Sequence, residues 1–487
     1  MGKLNDLQQK RFATLHGGGT TARERIAMLF DAGSFVELDA FVKNRYKELG
    51  LTEKDAPAEG VITGYGTVDG RLVYAYSQDS AVIGGSIGEM GAKKICKVLD
   101  MAVKMGAPVV AICDSNGARL EEGVDALCAF ADILNKSAKL SGVVPQISVI
   151  LGACAGGAAF MPAMSDFVFV VDNKTQMFLN APSVLGKETD EFGTALSHAE
   201  KTGVASVRCE SEADCFAKVK ELIGYLPSNN LETAPLYECD DNLNRLSETL
   251  NVMDYESYNM KSVIAEIVDN GKIYEIAPEF AKNIITCFAR LNGATVGIIA
   301  NQPAENEGLL DIDASLKGAK FVRFCDSFNI PVVTFTDAKG YVKSEDMENA
   351  GIIRHGAKLL YAFAEATVPK VNVVVKKAYG TAFIAMNSGA DVTFAYPAAE
   401  ISVMDAVAAA NIMFKDDVAN SSDPVKTREE KTDEYIKEVA SPYVAAGRGY
   451  VDDVIEPDST RPRIISALEM LMSKRESSFA KKHGNVL

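Results

Sequence analysis

The sequence predicts an α/β layered fold built twice, and three observations predict it. Short β-branched runs bounded by Pro and Gly alternate with longer helical patterns, as buried strands joined by helices do. The segment 106–117, GAPVVAICDSNG, has a counterpart in 329–340, NIPVVTFTDAKG. One offset of 223 residues carries Pro108 to Pro331, Asp114 to Asp337 and Gly117 to Gly340. A second match, 145–158 against 369–382, follows in the same order at an offset of 224. Two collinear matches at nearly one offset point to a duplicated domain, and so long a period excludes a solenoid.

In chain order, the first half predicts a helix over Met90–Lys104, a strand over Val109–Cys113, a helix over Asp125–Lys139 and a strand over Ile147–Leu151. The second half predicts a helix over Ala314–Phe328, a strand over Val332–Phe335, a helix over Ala357–Ala366 and a strand over Val371–Val375. Between the halves, Leu226–Asp241 is polar, acidic and contains Pro, so the linker belongs there and the domains read as 1–235 and 236–487. Lys415–Lys437 is highly charged and reads as an exposed helix pair or loop.

Composition removes several function classes. Of 487 residues, 50 are Lys or Arg and 66 Asp or Glu, a net charge of −16 with no basic block, which argues against nucleic acid. No apolar run reaches the roughly 18 residues of a membrane span, and the first residues lack a signal-peptide core. Nine cysteines without a CxxC, and four histidines, read as a reduced cytoplasmic protein without a zinc site. Neither GxxxxGK[ST] nor GxGxxG is present, so no nucleotide loop is expected.

The chemistry points to glycines at strand ends. Gly156, Gly157 and Ala158 follow one strand, and Gly380, Thr381 and Ala382 follow its duplicate. Small residues at a strand-to-helix junction leave backbone N–H groups facing outward, where they can hold an oxyanion. Close packing explains either junction alone; recurrence at equivalent positions favours function. Gly84, Gly85 and Ser86 precede a helix and either let a ligand chain approach the backbone or form a simple turn. Gly117, Ala118 and Arg119 end a strand, where α/β sites lie. Arg119 pairs either an anionic ligand or its neighbours Glu121 or Glu122, and the sequence leaves both open. His355 reads as a helix-start residue rather than a base. Lys104, in a Met-Ala-Val-Lys-Met context close to that of biotinylated lysines, lies in an amphipathic helix and reads as an ordinary surface lysine.

Through these residues the sequence resembles the carboxyltransferase subunits of biotin-dependent acyl-CoA carboxylases, transcarboxylases and sodium-pumping acyl-CoA decarboxylases. The motifs include Thr21–Ile26 (TARERI), Gly84–Glu89 (GGSIGE), Asp114–Arg119 (DSNGAR), Ser141–Ser148 (SGVVPQIS), Gly351–Leu360 (GIIRHGAKLL) and Arg448–Pro457 (RGYVDDVIEP). The resemblance implies two duplicated crotonase-like domains in a homohexamer, a trimer of dimers. Its active site lies where the N-terminal domain of one subunit meets the C-terminal domain of its partner. Gly156 and Gly157, with Ala158, then hold the acyl-CoA thioester oxygen, while Gly380, Thr381 and Ala382 hold the ureido oxygen of biotin. Ile384 falls on a position that bears on acyl length.

The implied function is carboxyl transfer between biotin and a short-chain acyl-CoA (methylmalonyl-/propionyl-CoA or malonyl-/acetyl-CoA), with the decarboxylase direction preferred. Biotin would ride on a carrier protein, with a biotin carboxylase or a membrane sodium-pump subunit as the other partner. This chain would bind no metal or nucleotide, and any membrane association would come through a partner. The alternatives are a carboxylating β subunit, a crotonase-type hydratase or isomerase, and an inactive scaffold. Departures from the family pattern cluster in the second half: Thr381 and Asp405 replace glycines, Lys339 replaces a proline, and a short stretch after Ser388 is missing. Ala181 replaces a glycine in the first half.

Overall fold

Each half of the sequence builds one mixed, eight-stranded sheet in the computed structural model, which describes residues 2–16, 21–46, 49, 56–186 and 191–476. The chain divides into two units, Met1–Thr233 and Ala234–Leu487, and the division falls inside the polar stretch 226–241.

The first sheet contains β1 (Val36–Leu38), β2 (Val61–Val68), β3 (Arg71–Gln78), β4 (Val109–Ser115), β5 (Gln146–Ala155), β6 (Phe167–Val171), β7 (Gln176–Phe178) and β8 (Val207–Cys209). Its order is β1-β2-β3-β4-β5-β6-β8, with β7 added along the end of β5. The second contains β9 (Ile273–Glu275), β10 (Ile284–Leu291), β11 (Ala294–Asn301), β12 (Val332–Ala338), β13 (Lys370–Tyr379), β14 (Val392–Ala395), β15 (Glu400–Ser402) and β16 (Asp453–Val454). Its order is β16-β14-β13-β12-β11-β10-β9, with β15 added along the end of β13.

Local chemistry explains the shared plan. The β2–β3 hairpin turns on Asp69-Gly70 and the β10–β11 hairpin on Asn292-Gly293, all four with positive φ, as a tight two-residue turn requires. The following strands β4 and β12 run parallel to their neighbours and are buried over their whole length, which is why they read as unbroken apolar runs. Register shifts between Cys113 and Ser115, and between Thr336 and Ala338, at the same point of both sheets. β5 and β13 continue past that point, so they outrun the strands read from sequence by four residues at the carboxyl end and gain β7 and β15 as extra partners.

Helices Glu89–Met105 and Val124–Leu140 cover the first core, built on Val61, Ile95, Val109 and Ile133. The second core is built on Val263, Ile285, Val333 and Val371. Helices Ile312–Ser327 and Ile352–Glu365 belong to that unit. The latter begins five residues before its expected start, and Gly356 sits inside it. A Cβ there would come 3.1 Å from the Tyr341 ring. The charged segment forms two helices, Lys415–Ala419 and Pro424–Tyr435, the second capped by Asp423. Among the described residues no helix is long and apolar enough to cross a membrane.

Candidate active site

The carboxyl ends of β4 and β5 bring three predicted segments of the first unit together. Past β4 the chain turns at Gly117, with φ +102°, and runs beside the Ile83–Gly88 turn. Asn116 N–H donates to Gly84 O (3.0 Å), Ile87 N–H to Gly117 O (2.9 Å) and Arg119 N–H to Ile87 O (3.0 Å). Ala118 thereby bridges Ile87. Two glycines are required by these approaches. A Cβ on Gly85 would stand 2.0 Å from Asp114 O, and one on Gly117 2.8 Å from Ala155 O, the last residue of β5. Ser86 is buried, with no hydrogen-bond partner for its hydroxyl.

Gly156 follows β5 with φ +60° and opens a single tight turn, Gly156–Ala159, that leads into Phe160–Ala163. No side chain caps it, so the leading N–H groups have no acceptor from their own helix or from a cap. A Cβ on Gly156 would meet nothing within 4 Å, and one on Gly157 only the Phe130 ring at 3.7 Å. The turn is therefore open on its Cβ side and uncapped.

Two ionic groups hold this arrangement from beneath. Asp114 accepts from Arg25 (2.8 Å) and Ser80 (2.9 Å), and Arg25 also reaches Leu151 O (2.8 Å) and Glu212 (3.1 Å). Arg25 belongs to the Thr21–Ile26 motif, yet nothing in its sequence context gave it this role. Arg119 is fully buried; it donates to Glu59 (2.8 Å), Glu122 (2.9 Å) and Ser86 O (3.1 Å). The intramolecular alternative holds, with Glu122 rather than Glu121, and with Glu59 from a distant segment. The other Glu122 oxygen accepts Glu89 N–H (2.6 Å) at the start of helix Glu89–Met105. Burial pushes the Glu59 carboxyl above its ordinary pKa, against the pull of Arg119.

The second unit repeats the turn. Tyr379 ends β13 with φ −109° and ψ 134°, where Ala155 has −109° and 146°. Gly380 then takes φ +56° and opens helix Gly380–Asn387, again with no side-chain cap. A Cβ on Gly380 would lie 2.9 Å from Val403 O. Thr381 and Ile384 are exposed and Ala382 is buried, the same pattern as Gly157, Phe160 and Ala158.

The surroundings differ. Where the first unit sets Gly84 against Asn116, the second sets Glu307 in an ion pair with Lys339. Asp405 turns its carboxylate to the start of helix Ala406–Met413, accepting from Val407 and Ala408 N–H (both 3.1 Å), and so caps it. His355 lies in the first turn of its helix, 3.1 Å from the Arg354 guanidinium. Lys104 is exposed in the last turn of helix Glu89–Met105. All nine cysteines are free thiols, and no group of three or more His, Cys, Asp or Glu able to hold a metal occurs among the described residues.

Comparison with known proteins completes the assignment. The carboxyl transferase domain family matches residues 14–486. Methylmalonyl-CoA decarboxylase subunit alpha of Propionigenium modestum is 51% identical, over 99% of this chain and 98% of that one. The carboxyltransferase subunit of propionyl-CoA carboxylase of Haloferax mediterranei is 46% identical, over 99% of both. The crystal structure of transcarboxylase 12S, a hexamer with methylmalonyl-CoA and methylmalonic acid bound, superposes with a TM-score of 0.95 at 42% identity, over 100% of this chain and 98% of that one. The chain belongs to the carboxyl transferase domain family, whose fold it builds as two duplicated crotonase-like domains.

Proposed function

We propose that this enzyme is the carboxyltransferase subunit of a biotin-dependent decarboxylase, moving a carboxyl group between a short-chain acyl-CoA and biotin carried on a partner protein. The observation that carries this reading is the pair of uncapped glycine turns, Gly156 and Gly380, in one conformation at the ends of equivalent strands. Transfer between a thioester and a urea develops negative charge on two carbonyl oxygens. One well-aimed backbone donor is worth about 3 kcal/mol in such a transition state.

Gly156, Gly157 and Ala158 would hold the thioester oxygen. Gly84, Gly85, Ser86, Gly117 and Ala118 would line the approach of the acyl-CoA chain. The Gly84–Asn116 contact in the first unit, against the Glu307–Lys339 pair in the second, supports acyl-CoA on the first. Gly380, Thr381 and Ala382 would hold the ureido oxygen, and Ile384 would bear on acyl length. What supports a carbonyl ligand at this turn is that its helix-start N–H groups carry no side-chain cap. When bound, biotin supplies the nitrogen that takes up or releases the carboxyl group. The protein's own share is orientation and charge stabilisation.

The methylmalonyl- and propionyl-CoA named for the relatives support a short acyl chain, and the higher identity to the decarboxylase subunit supports that direction. Partners would be a biotin carrier protein and a membrane sodium pump, the latter holding an otherwise cytoplasmic enzyme at the membrane; a biotin carboxylase would replace the pump in the carboxylating alternative. A hexamer arranged as a trimer of dimers would complete each site between subunits, and the hexamer assembly of transcarboxylase 12S supports that number. A hydratase or isomerase needs a free carboxylate beside the Gly156 turn, and Asp114, the acid at the end of β4, is bound to Arg25 and Ser80.

The test uses purified chain with malonyl-CoA or methylmalonyl-CoA, free biotin and, in a second arm, biotinylated carrier protein. Decarboxylation that depends on either form of biotin supports the reading, and its absence in both arms overturns it. Sodium-dependent, avidin-sensitive activity in membranes separates the pump from a carboxylase that requires ATP and bicarbonate.

A further inference from the structure

The turn at Gly380 stands on a charged group that the turn at Gly156 lacks. β15 pairs in parallel with the end of β13 and sets Glu400 opposite Lys377. The two carboxylate oxygens of Glu400 are divided between that strand's side chains: Oε1 accepts from the Lys377 ammonium and Oε2 from the Tyr379 hydroxyl. The Lys377 ammonium also lies 5.8 Å from the centroid of the Tyr379 ring. Tyr379 is 1% exposed and immediately precedes Gly380. The other flank of the strand end is pinned as well, since Lys377 N–H donates to Asp337 (2.9 Å), which in turn accepts from the Tyr258 hydroxyl (2.6 Å).

In the first unit the same register opposes Ala153 to Gln176, and Ala155 stands where Tyr379 does. Two turns with one backbone conformation thus differ in what holds them. Burial and the Glu400 carboxylate push the Tyr379 hydroxyl above its ordinary pKa, so it stays a donor. A ring tethered at both its backbone and its hydroxyl resists rotation of the peptide that joins it to Gly380. The N–H groups that follow are then held in one direction, as preorganised donors must be.

We propose that Lys377, Glu400 and Tyr379 form a positioning triad for the Gly380 turn, fixing its N–H groups for a urea-type carbonyl without touching the ligand. The proposal rests on the reading that this turn faces biotin. Its mark is selectivity: loosening the triad weakens the biotin side and spares the acyl-CoA side.

The experiment compares the full chain with Tyr379→Phe and Glu400→Gln, using free biotin and malonyl-CoA as probes. Tyr379→Phe removes one hydroxyl; it should lower kcat/KM for biotin about tenfold and weaken biotin binding by calorimetry to the same extent. KM for malonyl-CoA should stay within twofold. Glu400→Gln keeps an oxygen for Tyr379 but loses the charge facing Lys377, and should fall between Tyr379→Phe and the parent. Unchanged biotin affinity in both variants overturns the triad, as does a parallel loss of biotin and malonyl-CoA affinity, the sign of a merely structural role. If Tyr379→Phe does not fold, Glu400→Gln decides on the same criteria. A parent chain that binds malonyl-CoA but neither binds nor uses biotin overturns the underlying reading, and the triad with it.

Discussion

Lys94 and Lys317 occupy one position in the two units and turn their amino groups into the same cradle of backbone carbonyls. Lys94 donates to Ala58 O (2.7 Å) and Val61 O, and Lys317 to Phe280 O (2.8 Å), Ala281 O (3.3 Å) and Ile284 O (2.8 Å). The offset of 223 that relates the lysines also carries Ala58 to Ala281 and Val61 to Ile284. Ala58 and Ala281 both have positive φ, so these carbonyls belong to left-handed turns just before β2 and β10. Each lysine is an internal strut from a helix to the turn that launches the antiparallel hairpin.

Replacing the strut with a side chain of similar length isolates its contribution. Lys317→Met keeps the volume and takes the lysine's hydrogen bonds from the buried Phe280 and Ile284 carbonyls, while Ala281 O keeps Ile284 N–H, at a cost of about 2 kcal/mol. The expected result is a thermal midpoint several degrees lower, measured by calorimetry at one scan rate, with no change in oligomer size on gel filtration.

The same lysines impose a pH dependence. Burial pushes Lys94 down to about 8 and Lys317 down to about 7, from 10.5 in the unfolded chain. Between these values the unfolded chain binds more protons than the folded one, so this contribution to stability rises with pH from about 7 to 10.5 and is lost as pH falls through 7. The gap in thermal midpoint between the parent and Lys317→Met should therefore widen from pH 7 to pH 9. A gap that is flat over that range contradicts it.

Arg119 is the only cation in direct contact with the buried carboxylates Glu59 and Glu122 among the described ion pairs. Removing one member of such a group strands the others. Arg119→Ala is expected to cost about 3–5 kcal/mol and to leave most of the chain insoluble on expression. Soluble Arg119→Ala with an unchanged thermal midpoint would refute that account.

Gly85 and Gly156 make a matched pair for separating fold from chemistry, because both have positive φ but only one is hemmed in. Gly85→Ala forces a Cβ to within 2.0 Å of Asp114 O and should not fold. Gly156→Ala meets no atom within 4 Å. It should fold with a penalty of roughly 1–2 kcal/mol from left-handed strain. The N–H donor remains, but the added Cβ enters the open space where the thioester oxygen would sit, and a displacement of about 1 Å there should lower the carboxyl-transfer rate about 100-fold.

Asp405 tests whether a departure from the family pattern is local. Its carboxylate caps helix Ala406–Met413 at two N–H groups. Asp405→Ala should lower stability by about 1 kcal/mol. Biotin-dependent rate should stay within twofold, read from a thermal melt and a turnover assay on the same preparation.

What was legible in the sequence was whatever depends on neighbours along the chain. The alternation of apolar runs, the Pro and Gly punctuation and the 223-residue offset sufficed for two α/β units, and the glycines at the ends of β5 and β13 could be named from their positions alone. Contacts between distant segments left no such trace. Arg119 sits within three residues of two acids, and its local context did not reveal that Glu59, sixty residues earlier, shares it. Lys94 and Lys317 look like ordinary polar positions of amphipathic helices, since a lysine whose amino group meets carbonyls carries no charge partner to flag it. The Lys377–Glu400–Tyr379 group needs the short strand β15 brought alongside β13, and three residues are too few for a periodic signal.

The matching registers of β4–β5 and β12–β13 also set a problem for the newborn chain. Two sheets with the same pairing geometry and the same bulge invite a strand of one to dock in the other, a known failure of duplicated domains. Translation separates them in time, for the first 233 residues leave the ribosome before β9 exists to compete. A chain diluted from denaturant has no such schedule. Its yield of correctly sorted molecules should fall below that of the cell even where the finished protein is equally stable.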